Sequence, residues 1–362
     1  MNKEANILNG QTVKKDIDDT QLSEVIDVLG YMRSLSTVAI ERLASESILV
    51  REWTAYWIAN FCSGLKKNTA VYYESVCEQH INRVLGGFVI TELTSETIQL
   101  FINSLSIGVG IEQPLSPKSV KNVHGILHKC LDSAVRYEYL TCNPSTNITL
   151  PFLPHRDINV MTNAMISEFI KRIHGTEKEP IYLFALFTGM RESEIIGLTW
   201  DCINFDTGSI NIHRQLAQDR KTREFSFAPL KNNKARVIYP SEFVMKLLAK
   251  VKKDNPEPVD NFVFVNKRFG THYTISAVYK TFKRVVSKMG YPELRVHDLR
   301  HTYAVLSLQA GDDIKSLQHN LGHYSSAFTL DVYGHFTIDM QKTSAKKMSD
   351  FISEIFPELI GH

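Results

Sequence analysis

Several familiar signatures are missing from this chain of 362 residues, and each absence narrows what it is. Cysteine is scarce: Cys62, Cys77, Cys130, Cys142 and Cys202 are odd in number, scattered, and form no C-x-x-C pair. That excludes a disulfide scaffold and a zinc ribbon, and it fits a reduced cytosolic protein with free thiols. Long apolar runs are absent too. The run IYLFALF at 181–187 is far shorter than the roughly 20 residues a bilayer-spanning helix needs. No charged start leads into an apolar stretch, so no signal peptide is expected. There is no internal repeat and no low-complexity tract. Charge of one sign is lacking as well: 41 Lys and Arg against 39 Asp and Glu leave +2, not the global basic bias of many nucleic-acid binders.

What is present is 43% apolar residues over a length that suggests two domains, enough for a core in each. Charge is uneven locally. Residues 214–236 hold seven Lys and Arg and two acids, whereas residues 1–30 hold three Lys and six acids. Either run alone reads as a solvated surface. Residues 1–45 form an acidic, polar tail or small extra module. Residues 46–142 read as helical. RLASESILVREWTAYWIANF has helical spacing, NTAVYYESVCEQHINRVLG runs from an Asn/Thr cap to Gly86, and TSETIQLFINSL opens at Thr94. In SPKSVKNVHGILHKCLDSAVRYEYL, Ser116 is the cap and Pro117 the first helical residue. Its apolar stripe is Val120, Val123, Leu127, Leu131 and Val135, with Lys118, Lys121, Lys129 and Arg136 off that stripe.

Residues 143–157 carry three prolines and read as an extended linker. A second domain, 158–362, follows. Helices are expected at 163–173, 179–189, 192–197, 241–252, 274–289, 298–310, 312–320, 326–333 and 340–355. NFDTGSINI is a hairpin signal, and EFSFAPL and ARVIYP read as two strands joined by the basic turn KNNK. The fold class is therefore mainly α with a small antiparallel β-sheet.

RVHDLRHTYA gathers Arg295, His297, Asp298, Arg300 and His301 within seven positions. In a helix beginning near Asp298, positions 297, 300 and 301 share one face. His-x-x-x-His suits zinc, but Arg300 on the same face repels a cation and no Cys or Glu completes the set. His301 reads equally as a packed core histidine. The remaining reading is an anion site, with Arg300 as a planar fork and His297 as a donor. In TGMRESEI, Arg191 opens a helix beside free backbone N–H groups, a favourable place for phosphate, or else it is a surface arginine paired with Glu194. His323 follows a glycine in LGHYSS, Tyr333 lies in DVYGH, and Lys231 sits on the tight turn.

Together these stretches, TGMRESEIIGLTW, LKNNKARVIYP, RVHDLRHTYA, LGHYSS and DVYGH, resemble the tyrosine recombinases, the phage-integrase family, in kind and in order. The resemblance spans about residues 46–345 and is strongest over 185–336. It implies a two-domain C-shaped DNA clamp, with a helical core-binding (SAM-like) domain and an α+β catalytic domain. It implies that Arg191 and Arg300 clamp the scissile phosphate, that His297 and His323 donate to it, and that Lys231 protonates the leaving 5′ oxygen. Lys234 is the alternative acid, since Asn232 stands where the family often has threonine. Tyr333 would be the nucleophile, and Glu194 and Asp298 would orient their neighbours.

The chemistry so implied is metal-free and cofactor-free strand transfer through a 3′-phosphotyrosine and a Holliday junction. Lys118, Lys121, Lys129, Lys234 and Arg236 are expected to contact DNA. The implied partners are double-stranded DNA, a homotetramer exchanging its C-terminal helix, and an excision factor or host DNA-bending protein. No membrane role is implied and the location is cytoplasmic. Integration or excision of a mobile element is the leading expectation. A cellular resolvase of chromosome or plasmid dimers and a non-catalytic DNA-binding relative are the alternatives.

Overall fold

The computed structural model describes residues 47–109, 113–154, 158–256, 258–322 and 338–355. His323, Tyr333 and the helix expected at 326–333 therefore lie outside the described residues, as does the segment 1–46. The chain divides into two compact units with the boundary after Pro154.

The first unit is helical: α1 Val50–Phe61, α2 Lys67–Val76, α3 Asn82–Leu85, α4 Ser95–Ile107 and α5 Pro117–Arg136. Local chemistry sets several of the ends. Thr94 Oγ1 accepts from Thr97 N at 3.1 Å and Ser116 Oγ from Ser119 N at 3.2 Å, so both expected caps form. The Asn/Thr cap expected for α2 does not form. That helix starts at Lys67, and Lys66 caps it with no side-chain bond. Nor is the helix continuous to Gly86, because a π-helical segment at Cys77–Ile81 separates α2 from α3. On α5, Val120, Val123, Leu127 and Leu131 are buried as the spacing predicts. Val135 is only half-buried, and Ala134 takes the core position instead. Two indoles fasten α1 to α5: Trp53 Nε1 donates to Cys130 O at 3.1 Å and Trp57 Nε1 to Ser133 Oγ at 2.9 Å.

Part of the segment expected to be an extended linker is fixed to this unit. Ser145 is fully buried, His128 Nδ1 lies 2.9 Å from its hydroxyl, and Ile148 and Leu150 pack on the helical core.

The second unit is built around α7, Glu179–Thr188. Ile181 through Leu186 are all buried, so this helix is apolar on every side and must lie inside. It packs against α9 (Glu242–Asp254) and α11 (Val296–Gln309), with α6 (Asn163–Ile173) and α10 (Ile275–Lys288) completing the core. The short helix α8, Glu192–Ile196, follows α7 across a tight turn. α12, Ile314–Leu321, packs Leu317 and Leu321 on Ala304, Val305 and Leu308 of α11. The last helix, α13, spans Ile338–Ile355.

The strands are β1 Ile203–Asn204, β2 Ser209–Ile212, β3 Arg214–Gln218, β4 Phe225–Pro229, β5 Arg236–Ile238, β6 Val265–Asn266 and β7 Thr271–His272. Among the described residues the pairings are antiparallel and make three small sheets: β1-β2-β5, β3-β4 and β6-β7. The hairpin expected over NFDTGSINI forms, with Asn204 opposite Ser209. The two strands flanking KNNK do not pair with each other. β4 pairs with β3 and β5 with β2, so the basic turn carries the chain from one sheet to another.

Candidate active site

The turn between α7 and α8 is fixed by Gly189, whose φ of 61° lies in the left-handed region. A Cβ there would come within 2.3 Å of the Tyr303 ring, so only glycine fits. Arg191 comes next and caps α8. Its backbone N–H donates to Glu194 Oε2 at 3.0 Å, so that amide is not offered to an anion. Its guanidinium instead reaches two partners. Nη1 donates to Glu194 Oε1 at 2.9 Å and Nη2 to Gly322 O at 2.9 Å, with 19% of the side chain exposed. Among the described residues two of its five N–H groups find these partners.

Arg300 approaches the same place from α11. It is buried and donates from Nη1 to Gly189 O and from Nη2 to Leu321 O, both at 2.6 Å. Arg191 and Arg300, far apart in sequence, thus meet at successive carbonyls at the C-terminal end of α12. That end carries unsatisfied carbonyls and the negative pole of the helix, which explains why cations gather there. Gly322 has φ 63°, and a Cβ on it would come within 2.9 Å of the Arg236 guanidinium.

Arg236 is a correction. The sequence places it among the DNA contacts, but it is 5% exposed and turned inward. Its Nη2 donates to Glu194 Oε2 at 2.6 Å, Nη1 to Glu194 Oε1 at 3.2 Å and Nε to Asn320 O at 2.9 Å. All three of its guanidinium nitrogens are thus taken up by the protein itself. Glu194 is therefore gripped by two arginines. Burial pushes its carboxyl up, but the Arg236 hydrogen bond and charge, aided by Arg191, overcome this and hold it below the ordinary value of 4.5.

α11 begins through Asp298, which is fully buried and accepts from Arg295 N at 2.9 Å, with Arg295 Nη2 at 2.8 Å. The helix starts at Val296, two residues before the expected position, so His297 lies within it. The His297 and His301 rings meet edge-to-face with centroids 5.1 Å apart, as the i, i+4 spacing requires. His297 is exposed overall, but its ring also lines a small cavity beside Met190 and Val296. Burial there first, then His301 and Arg300, push its pKa down to about 4. A phosphodiester among these cations would oppose that shift. Among the described residues no cluster of three or more metal-ligating side chains exists.

Lys231 and Lys234 lie exposed on the turn between β4 and β5. Between them Asn232 ties the turn to the arginine cluster by donating to Gly322 O at 3.0 Å. Lys234 lines a shallow pocket with Gly322. Neither the anchoring by Asn232 nor the inward role of Arg236 is visible in the sequence. Asn232 stands where threonine is expected, and Arg236 alternates inward on a strand whose partner lies elsewhere in the chain than the adjacent strand.

A model of the phage integrase family matches residues 152–339, and one of the phage integrase N-terminal SAM-like domain matches residues 49–106. A protein named tyrosine recombinase XerC-like, from Caldanaerobacter subterraneus subsp. tengcongensis, is 28% identical over 307 residues, 77% of each chain. The Tn1549 transposon integrase, solved with a circular intermediate DNA, shares the fold with a TM-score of 0.72 at 22% identity, over 83% of this chain and all of that one. The lambda integrase tetramer bound to a Holliday junction gives 0.58 at 18% identity, over 85% and 88%.

Proposed function

This chain belongs to the phage integrase family, the tyrosine recombinases, and we propose that it cuts and rejoins DNA at specific sites to integrate or excise a mobile element. The observation that carries the reading is the meeting of Arg191 and Arg300 at the adjacent carbonyls of Leu321 and Gly322, with His297 on the same helix face as Arg300. Such a cluster neutralises a phosphodiester and the extra charge of its pentavalent transition state, the work that bound cations do at other phosphoryl-transfer sites.

In the proposed reaction the Tyr333 oxygen attacks phosphorus. The bond to the 5′ oxygen breaks as Lys231 supplies its proton, leaving a 3′-phosphotyrosine and a free 5′ hydroxyl. A free phenol is a weak nucleophile at its reference pKa of about 10, and nearby guanidiniums favour its ionised form. His297 and His323 donate to the phosphate oxygens. The bond energy stays in the covalent link, so a second 5′ hydroxyl reverses the step on another strand, and two rounds pass through a Holliday junction.

DNA contact is proposed for one face of α5. Lys118, Lys121, Lys129 and Arg136 fall on one stripe opposite the buried one, and Gly125 lies in the middle of it with open space before its Cα. A tetramer is proposed through α13, where Met348, Phe351 and Ile355 are 50–58% exposed and so present an apolar side to a neighbour. No described helix is long and apolar enough to cross a membrane, and the proposed place of action is the cytoplasm.

The test uses a duplex carrying the recombination site with a nick beside the scissile phosphate. The wild type should form an SDS-resistant protein–DNA adduct in EDTA, and Tyr333→Phe should form none. An adduct from the phenylalanine variant, or its loss in EDTA, overturns the reading. The resolvase alternative draws its support from the XerC-like relative. It predicts resolution of plasmid dimers without an excision factor.

A further inference from the structure

Glu192, the first residue of α8, has no part in the chemistry above. An acid at that position ordinarily faces water and complements the free N–H groups of the first turn. Glu192 instead turns inward. Its Oε1 is buried with no hydrogen-bond partner among the described residues. It enters a small cavity of about 10 Å³ whose wall is apolar, including Met190, Val278 and Val296, apart from Glu192, His297 and Arg300. A space of that size admits about one water. An unpaired buried carboxyl is costly to keep, and a side chain of this length is free to point outward, so the inward position calls for a partner.

The charged and titratable groups around it are few. From α11 come His297 and Arg300, with His301 against the His297 ring. Asp298, on the same helix, is turned to Arg295. From α7 comes Tyr182, whose hydroxyl donates to Val278 O at 2.8 Å and whose ionisation Glu192 disfavours. From α10 the cavity receives Val278, while Arg284 acts on Tyr182. On α8 itself, Glu194 is held by Arg191 and Arg236. Of these, His297 is the group that needs orienting. A neutral imidazole has one donor and one acceptor nitrogen, and it serves a phosphate only when the donor is the outer one.

We propose that Glu192 is a positioning residue for His297: across this cavity, through one water, its carboxyl fixes the inner nitrogen so that the outer N–H points to the phosphate. The proton balance is explicit. A protonated carboxyl donates to the inner nitrogen, and a carboxylate paired with imidazolium holds the same two protons; both leave an N–H outside. When the pair loses one proton, the carboxylate draws the remaining N–H inward and the outer nitrogen becomes an acceptor. Burial, which pushes the Glu192 carboxyl up to about 7, brings this loss into the neutral range. The outer donor is therefore present at lower pH and lost as pH rises.

The identity of the anion rests on the recombinase reading; the pairing itself does not. The test has two parts, on the full chain. Imidazole nitrogen NMR of the DNA-free protein should show the His297 tautomer changing with pH in the wild type. In Glu192→Gln it should stay fixed, because a carboxamide donates at every pH. Adduct formation on the nicked duplex should lose an alkaline limb in Glu192→Gln. In Glu192→Leu, which leaves the inner nitrogen unpartnered, it should fall on the order of tenfold at all pH values, the loss of about one hydrogen bond. Thermal melts establish that both variants fold. Identical His297 tautomers in all three proteins, or parallel pH profiles with Leu as fast as wild type, overturn the proposal. No adduct from the wild type alongside the NMR change would refute the recombinase reading and leave the pairing standing.

Discussion

Among single residues, the Glu194–Arg236 pair has the largest energetic consequence. Both side chains are nearly fully buried and joined by two hydrogen bonds. Removing one partner strands a charge in the interior. We expect Arg236→Ala to lower the stability of the catalytic unit by about 3–5 kcal/mol at neutral pH. Because Glu194 has a folded pKa below its ordinary value, the unfolded chain binds its proton first as pH falls. The pair's contribution is thus fully present above pH 4.5 and is lost as pH drops through the lowered value. Urea midpoints of wild type and variant should differ most at pH 7 and converge as pH falls through the lowered Glu194 value; a gap independent of pH would refute the assignment. The sequence singled out Arg191, His297 and Arg300 because their motifs are local and their chemistry distinctive. It could not reveal that Arg236 turns inward, since that depends on β5 pairing with β2 rather than with β4.

At the scale of elements, caps and periods were legible wherever they are local. Thr94, Ser116 and the apolar stripe of α5 behave as their spacing demands. What the sequence missed were features settled by packing. The π segment at Cys77–Ile81 and the early start of α11 are two such cases. The hairpin of β3 and β4 is a third. The polar face of α5 gives a measurable expectation. Each of Lys118→Ala, Lys121→Ala and Lys129→Ala should weaken DNA binding on all sequences and reduce the salt slope of log K by about 0.9 for every phosphate no longer neutralised. A variant whose slope matches wild type identifies a lysine that touches no phosphate.

The whole molecule has two cores of separate composition, joined at Pro154, and the first extends further along the chain than its prolines suggest. Asn143 and Ser145 are tied to α5 by hydrogen bonds that composition does not foretell. α13 leaves Met348 and Phe351 in solvent. A chain ending at residue 337 should bind a single half-site as the full chain does, yet fail to assemble four subunits on a junction, as read by sedimentation. Unchanged assembly would rule out α13 as the exchanged element.

The crowding of guanidiniums on the peptide oxygens of Asn320, Leu321 and Gly322 bears on how mutants are interpreted. Arg191 and Arg300, the two proposed to grip the substrate, also brace the stretch of polypeptide that runs on toward Tyr333. Alanine at either position therefore subtracts two contributions at once, and a rate deficit cannot be assigned to weaker phosphate binding alone. A double-mutant cycle between the two arginines would return strong epistasis, because they share one scaffold.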